Sequence, residues 1–197
     1  MFRYYDCLEA HILIGLISSS SATILLFLTS FSAPYINSIY FLLTPSPDNL
    51  RLGGFGYCSL KSCTTSMIGY DVGPEMIQWL TRTHILFPLA AIFMSIALIF
   101  LILSLLKTGR FMWNPIYFRT TALFGSIIAI IAEIFALVNW VQARHKYDDH
   151  QGQRARYGSA LWLGLVGAIT AFLSVCIGGP AFEGSVMYRH TGTAYNV

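Results

Sequence analysis

The stretch YGSALWLGLVGAITAFLSVCI, residues 157–177, decides the class of fold. It carries no Asp, Glu, Lys or Arg and matches the roughly 20 mostly apolar residues that a helix needs to cross a hydrocarbon core about 30 Å thick. Outward from it, three further runs are similarly apolar, at residues 11–31, 83–106 and 120–140, the last interrupted by Glu133. Each is read as a helix, because a lipid-exposed segment must satisfy its own backbone hydrogen bonds. Composition agrees. Of 197 residues, 55% are hydrophobic and 11% charged, against roughly 25% charged in an ordinary soluble domain, and the mean hydropathy is +0.61. So few charges could not cover a soluble fold of this size, which sets aside soluble enzymes, disordered regulators and nucleic-acid binders. The net charge of +3 is too small and scattered for a polyanion partner.

The first run differs from a signal peptide in its long apolar stretch, the acidic Asp6 and Glu9 before it, and Pro34 after the small residues Ser32 and Ala33. Residues 1–197 therefore read as one four-span domain. Both tails and the second connection share one side, and the long first loop, residues 32–82, shares the other with the third connection. Basic residues do not orient it, since Arg3, Lys107, Arg110, Arg119 and Arg189 oppose Arg51, Lys61, Arg82, Arg144, Lys146, Arg154 and Arg156. The cysteines do. Cys58 and Cys63 lie close together in the long loop, whereas Cys7 and Cys176 lie at the opposite ends of spans. That division predicts a Cys58–Cys63 disulfide in an oxidising exterior and both termini in a reducing cytoplasm. Cys7 is open to two readings, a palmitoylation site and a plain interfacial thiol.

Within the loop, YINSIYFLL (35–43) is rich in β-branched and aromatic residues and is broken by TPSPDN, the pattern of a strand ending in a turn. RLGGFGYC and CTTSMIGY then flank residues 59–62, a length suited to a hairpin that the disulfide would staple at its base. Small sheets are marginal alone, so this one is expected to rest on the outer helix ends and the third connection. Gly53, Gly54 and Gly56 fit either close backbone approach or a flexible loop. The expected fold is an all-α membrane protein: a four-helix transmembrane bundle carrying a small disulfide-stapled extracellular β-sheet.

Four spans with GGFGYC at 53–58, then Cys63 and IGYD at 68–71, resemble the fungal PalI-type (Sur-seven type) proteins, claudin-like tetraspans of the plasma membrane. A similar G-x-x-G-x-C…C pattern marks the fungal mating-induced calcium-uptake regulators. The resemblance implies a plasma-membrane setting and an extracellular motif of Gly53, Gly54, Phe55, Gly56 and Tyr57. It also implies an accessory role in cortical domains, cell-wall stress or ambient-pH signalling, beside a receptor, transporter or wall-synthesis enzyme, or through self-association. A channel or calcium-entry component is the alternative.

Helix association in lipid relies on close packing through small residues. Ala160, Gly164, Gly167, Ala171, Ser174 and Gly178 form such a seam in the fourth span, and Gly125, Ala129, Ala132 and Ala136 form one in the third. Gly15, Ser19 and Ala22 repeat the device briefly in the first. The third and fourth spans are therefore expected to approach closely in a left-handed bundle. Trp162, Leu165, Ile169, Phe172 and Leu173 are expected to face lipid or a partner protein, and Trp79, Trp140 and Tyr157 to lie at the interface.

Glu133 is the one ionisable residue deep in a span. An intramembrane carboxyl must be protonated, paired or wet. Three readings are open: a proton or cation site, a contact to another subunit, or a neutral carboxyl bonded to hydroxyls such as those of residues 18–21. No enzyme signature accompanies it. C-x-x-C and phosphate-loop motifs are absent, the histidines do not match in depth for haem, and the serine run 18–21 lacks a base. His145, His150, Asp148 and Asp149 read as a solvated loop before a surface metal site. No metal or other cofactor is expected.

Overall fold

Pro115, whose missing N–H costs nothing in a first helical turn, opens the longest element, α4 (Pro115–Gln151). Its 37 residues rise about 55 Å, well beyond a bilayer core of about 30 Å. The surplus, residues 141–151, contains the helix formers Gln142, Ala143, Arg144 and Lys146 and carries an i,i+4 ion pair, Arg144 to Asp148 at 3.6 Å. A carboxylate oxygen of Asp148 then accepts the Ala155 amide at 2.8 Å. Sequence hydropathy places the span at 120–140; the helix runs on because a polar exterior does not interrupt helical propensity.

The other helices in this computed structural model are α1 (Arg3–Ser30), the short α2 (Gln78–Arg82), α3 (Leu86–Leu105) and α5 (Ser159–Ile177). The described residues are 3–44, 49–59, 62–70, 78–105, 115–151 and 155–177. The side chain of Cys7, together with Asp71, Gly178, residues 106–114 of the second connection and the C-terminal tail, lies outside them. A 3-10 turn, Thr83–Ile85, joins α2 to α3. Pro88 lies four residues after His84 and cannot donate to its carbonyl, which accounts for the tighter turn there. Four helices are long and apolar enough to cross a membrane, over Leu13–Ser30, Trp79–Leu103, Ile116–Asp148 and Ser159–Ile177.

The four long helices form a ring in which α1 packs on α3 and α5, and α4 packs on the same two. The seams are buried, with Ala129, Ala132, Ala136, Ala160 and Ala171 all in the core. The third and fourth spans do pack on each other, as α4 and α5, where Gly164 meets Glu133, but the seams also serve other neighbours. The most extensive contacts of α5 are with α1, where a Cβ on Gly167 would press on Leu25 and Leu26. Gly125 of α4 faces Phe93 and Met94 of α3. A small-residue stripe states that a neighbour comes close, not which one. The opposite faces carry an exposed apolar belt, Trp162, Ile169 and Phe172 on α5 among them.

A four-stranded antiparallel sheet lies at the end of the bundle where α1 and α4 finish. Its strands are β1 (Leu42–Leu43), β2 (Arg51–Leu52), β3 (Tyr57–Cys58) and β4 (Arg156–Tyr157), in the order β3-β2-β1-β4. Leu42 pairs with both Leu52 and Tyr157, so the third connection supplies an edge strand and the sheet rests where expected. The long strand over 35–43 shrinks to β1. Hydrogen bonds from the Ile39 amide to the Ile36 carbonyl (3.0 Å) and from the Ala33 amide to the Ile39 carbonyl (2.8 Å) curl residues 33–39 into turns. Cys58 and Cys63 bridge and form a disulfide.

Candidate functional site

The glycine motif is a docking device. Gly53 and Gly56 close a turn, amide to carbonyl at 2.8 Å, that lies against the end of α1. A Cβ on Gly53 would overlap the backbone carbonyl of Ala33, and one on Gly56 would sit 2.8 Å from the Thr64 hydroxyl and 3.1 Å from Pro34. The Gly54 amide donates to Ser32 Oγ at 3.0 Å, and the Phe55 carbonyl accepts the Met67 amide at 2.8 Å. The second half of the motif closes on the first. The Tyr70 hydroxyl donates to the Gly53 carbonyl at 2.6 Å, and the Tyr70 and Tyr57 rings pack at 6.1 Å. Burial, with Tyr147 nearby, pushes the Tyr70 phenol well above its ordinary pKa and keeps it a neutral donor. GGFGYC and IGY thus form one unit, and the close approaches exclude the flexible-loop reading of the glycines.

Below the sheet, Phe41 is fully buried between helices, stacked on Trp140 at 5.4 Å and edge-on to His84 at 5.1 Å. The Trp140 indole N–H donates to His84 Nε2 at 3.1 Å. His84 Nδ1 lies 3.2 Å from the Leu80 carbonyl, so this nitrogen carries the proton of a neutral imidazole. Trp140 is therefore not an interfacial ring: it is 0% exposed, because the loop residue Phe41 and His84 of the next span cover it. Trp79, 58% exposed, does lie at the surface.

Glu133 projects inward from α4 and is 3% exposed. Gly164 of α5 makes room for it, since a Cβ there would collide with Glu133 Oε2 and approach Phe87 at 3.3 Å. Among the described residues neither carboxyl oxygen has a hydrogen-bond partner. The hydroxyls of residues 18–21 do not supply one: Ser18 and Ser20 donate to the carbonyls of Gly15 and Ile17 in their own helix, and buried Ser19 Oγ lacks a partner. Depth explains this. Gly167 meets Leu25 and Leu26, and Gly164, one turn nearer the sheet, meets Glu133; at 1.5 Å per residue Ser19 lies about 10 Å or more below the carboxyl. The stem of Glu133 also lines an open groove of about 290 Å³ between α4 and α5, walled by Ile130, Ile134, Leu137, Ile169 and Phe172.

Asn139 is a further buried polar residue, with no partner at either amide atom among the described residues. It lies three residues beyond Ala136, on the seam face inside the predicted span, a signal that counting only ionisable residues passes over. The His84–Trp140 pair left no such trace, because nothing in either segment specifies the other. No group of three or more His, Cys, Asp and Glu side chains gathers to hold a metal among the described residues.

Fold and site together define a multi-pass type of membrane protein, a ring of four apolar helices with a disulfide-bearing sheet clamped on one end. No protein-family model and no curated protein matches the chain.

Proposed function

We propose that the protein is a non-enzymatic organiser of partner membrane proteins in the plasma membrane. Its α4–α5 face is the surface that receives a partner's transmembrane helix. The observation that carries this reading is Glu133, a buried carboxyl without a hydrogen-bond partner, whose stem lines an apolar groove open to the lipid. A carboxyl held in a span against its insertion cost of a few kcal/mol is retained for something other than stability. Rotation about its side-chain torsions turns it into the groove, where a donor on a partner helix completes it. The exposed Trp162, Ile169 and Phe172 offer apolar contact on the same side.

The loop disulfide supports placing the sheet outside the cell, and free, exposed Cys176 at the far end of α5 supports cytoplasmic termini. The resemblance to PalI-type proteins points to a receptor, transporter or wall-synthesis enzyme as the partner. The alternative, a transport component or calcium-entry regulator, puts a proton or cation on the same carboxyl. Glu133→Gln separates the two. An organiser keeps its partner in mild detergent with Gln, which still accepts a hydrogen bond, and loses it with Glu133→Leu. Proton or calcium flux in reconstituted vesicles that Glu133→Gln abolishes would establish transport instead.

A further inference from the structure

A second groove lies at the rim where the sheet meets the helices, and nothing in the reading above uses it. Phe27 of α1, Phe31 just beyond it, Tyr35, Phe55, Met67 and Pro88 of α3 border about 350 Å³, at the low end of the roughly 300–1,000 Å³ of small-molecule sites. Its loop wall is unusual for a surface facing water. Tyr35 is 58% exposed, and Met67 and Ile68 are each 60% exposed, an apolar cluster of the kind that marks a contact surface. The backbone that carries Met67 is fixed, its amide donating to the Phe55 carbonyl at 2.8 Å, and the Tyr35 ring meets Phe31 edge-on at 5.8 Å.

The helix walls say what fills the groove. Ile24 stands three residues before Phe27, on its face of α1, and Phe31 continues that face just past the helix end, its amide bonded to the Phe27 carbonyl at 2.9 Å; Ile92 lies one turn after Pro88 on α3, and Ile85 precedes it at the end of the 3-10 turn. All four are exposed members of the apolar belt, so both walls run without a break into the surface that the bilayer covers. Among the described residues no carboxyl, amine, guanidinium or imidazole group lines the groove; its hydroxyls are those of exposed Tyr35 and Ser66 and that of Ser30, already bonded to the Leu26 carbonyl at 2.7 Å. A polar ligand finds little to recognise there, and the space is too small for a helix. We propose that the groove seats one acyl chain of a phospholipid from the leaflet on the sheet side, with Met67 and Ile68 reaching over it as a fixed lip.

The test uses the full chain in phosphatidylcholine vesicles doped with phosphatidylcholine that carries a diazirine near the carboxyl end of one acyl chain. After irradiation, adducts are mapped by peptide mass analysis. Labelling of residues 27–35 and 64–70 several-fold above that of Val138 and Val141, which are exposed toward the sheet-side end of α4, is expected. Met67→Asp should remove that excess and leave the α4 label unchanged. Should this variant misfold, the wild type decides in vesicles of branched-chain phosphatidylcholine that hold a trace of the probe: a small addition of unlabelled straight-chain phosphatidylcholine should lower the groove label several-fold and leave the belt label nearly unchanged. Uniform labelling of groove and belt would overturn the proposal as ordinary boundary lipid, and displacement by cholesterol but not by phospholipid would overturn it in favour of a sterol.

Discussion

Neighbouring glycines in GGFG should respond differently to the same methyl group. In Gly53→Ala the new Cβ overlaps the Ala33 backbone carbonyl, which no side-chain rotation can move. Overpacking of this kind costs about 1–3 kcal/mol. Displacing the turn also strains the 2.6 Å Tyr70–Gly53 hydrogen bond, a further 0.5–1.5 kcal/mol or so. Together that is a loss of about 2–4 kcal/mol. In Gly54→Ala the nearest atom is Ser32 Oγ at 3.3 Å, a side-chain oxygen that need give by only a few tenths of an ångström and keeps its hydrogen bond from the residue-54 amide, so the loss should stay below about 1 kcal/mol. Unfolding in detergent micelles, followed by tryptophan emission and by the rate at which reductant opens Cys58–Cys63, reads both variants. Equal losses, within about 0.5 kcal/mol, would refute the assignment of Gly53 to backbone docking.

Because neither oxygen of Glu133 is bonded, Glu133→Leu should raise the stability of the isolated protein by about 1–3 kcal/mol, and a fall in its unfolding midpoint would mean the carboxyl is structural. Trp140→Phe keeps the stacking on Phe41 but leaves buried His84 Nε2 without its donor, and should cost about 1–3 kcal/mol; an unchanged midpoint would contradict that hydrogen bond. The folded Tyr70 phenol titrates above its unfolded value, so its stabilisation is complete below pH about 10 and fades as pH rises through the higher folded value. An alkaline loss of stability that Tyr70→Phe removes is expected, and an identical pH profile in the variant would exclude Tyr70 as its source.

The spans were legible because hydropathy over about 20 residues is a local property, and the loop disulfide because its cysteines are close in sequence. Helix ends were less so. Residues 141–151 are polar, and polarity marks the membrane boundary without marking the end of α4. Which neighbour each seam meets, the burial of Trp140 and the strand contributed by Arg156 and Tyr157 all depend on contacts between distant segments. Glu133 illustrates the division. Its inward direction follows from sharing a face with Ala129 and Ala136, whereas its missing partner follows from the relative depth of α1 and α5, which no single helix encodes.

The organiser reading is tested most directly by placing a photoreactive side chain at Ile169 on the α4–α5 groove, or at Ile99 on α3 as an equally exposed control, and irradiating intact native membranes. A discrete protein adduct from Ile169, lost in Glu133→Leu, with only lipid adducts from Ile99, is expected. Lipid adducts alone from both positions, or the same protein adduct from both, would contradict a partner helix at Glu133.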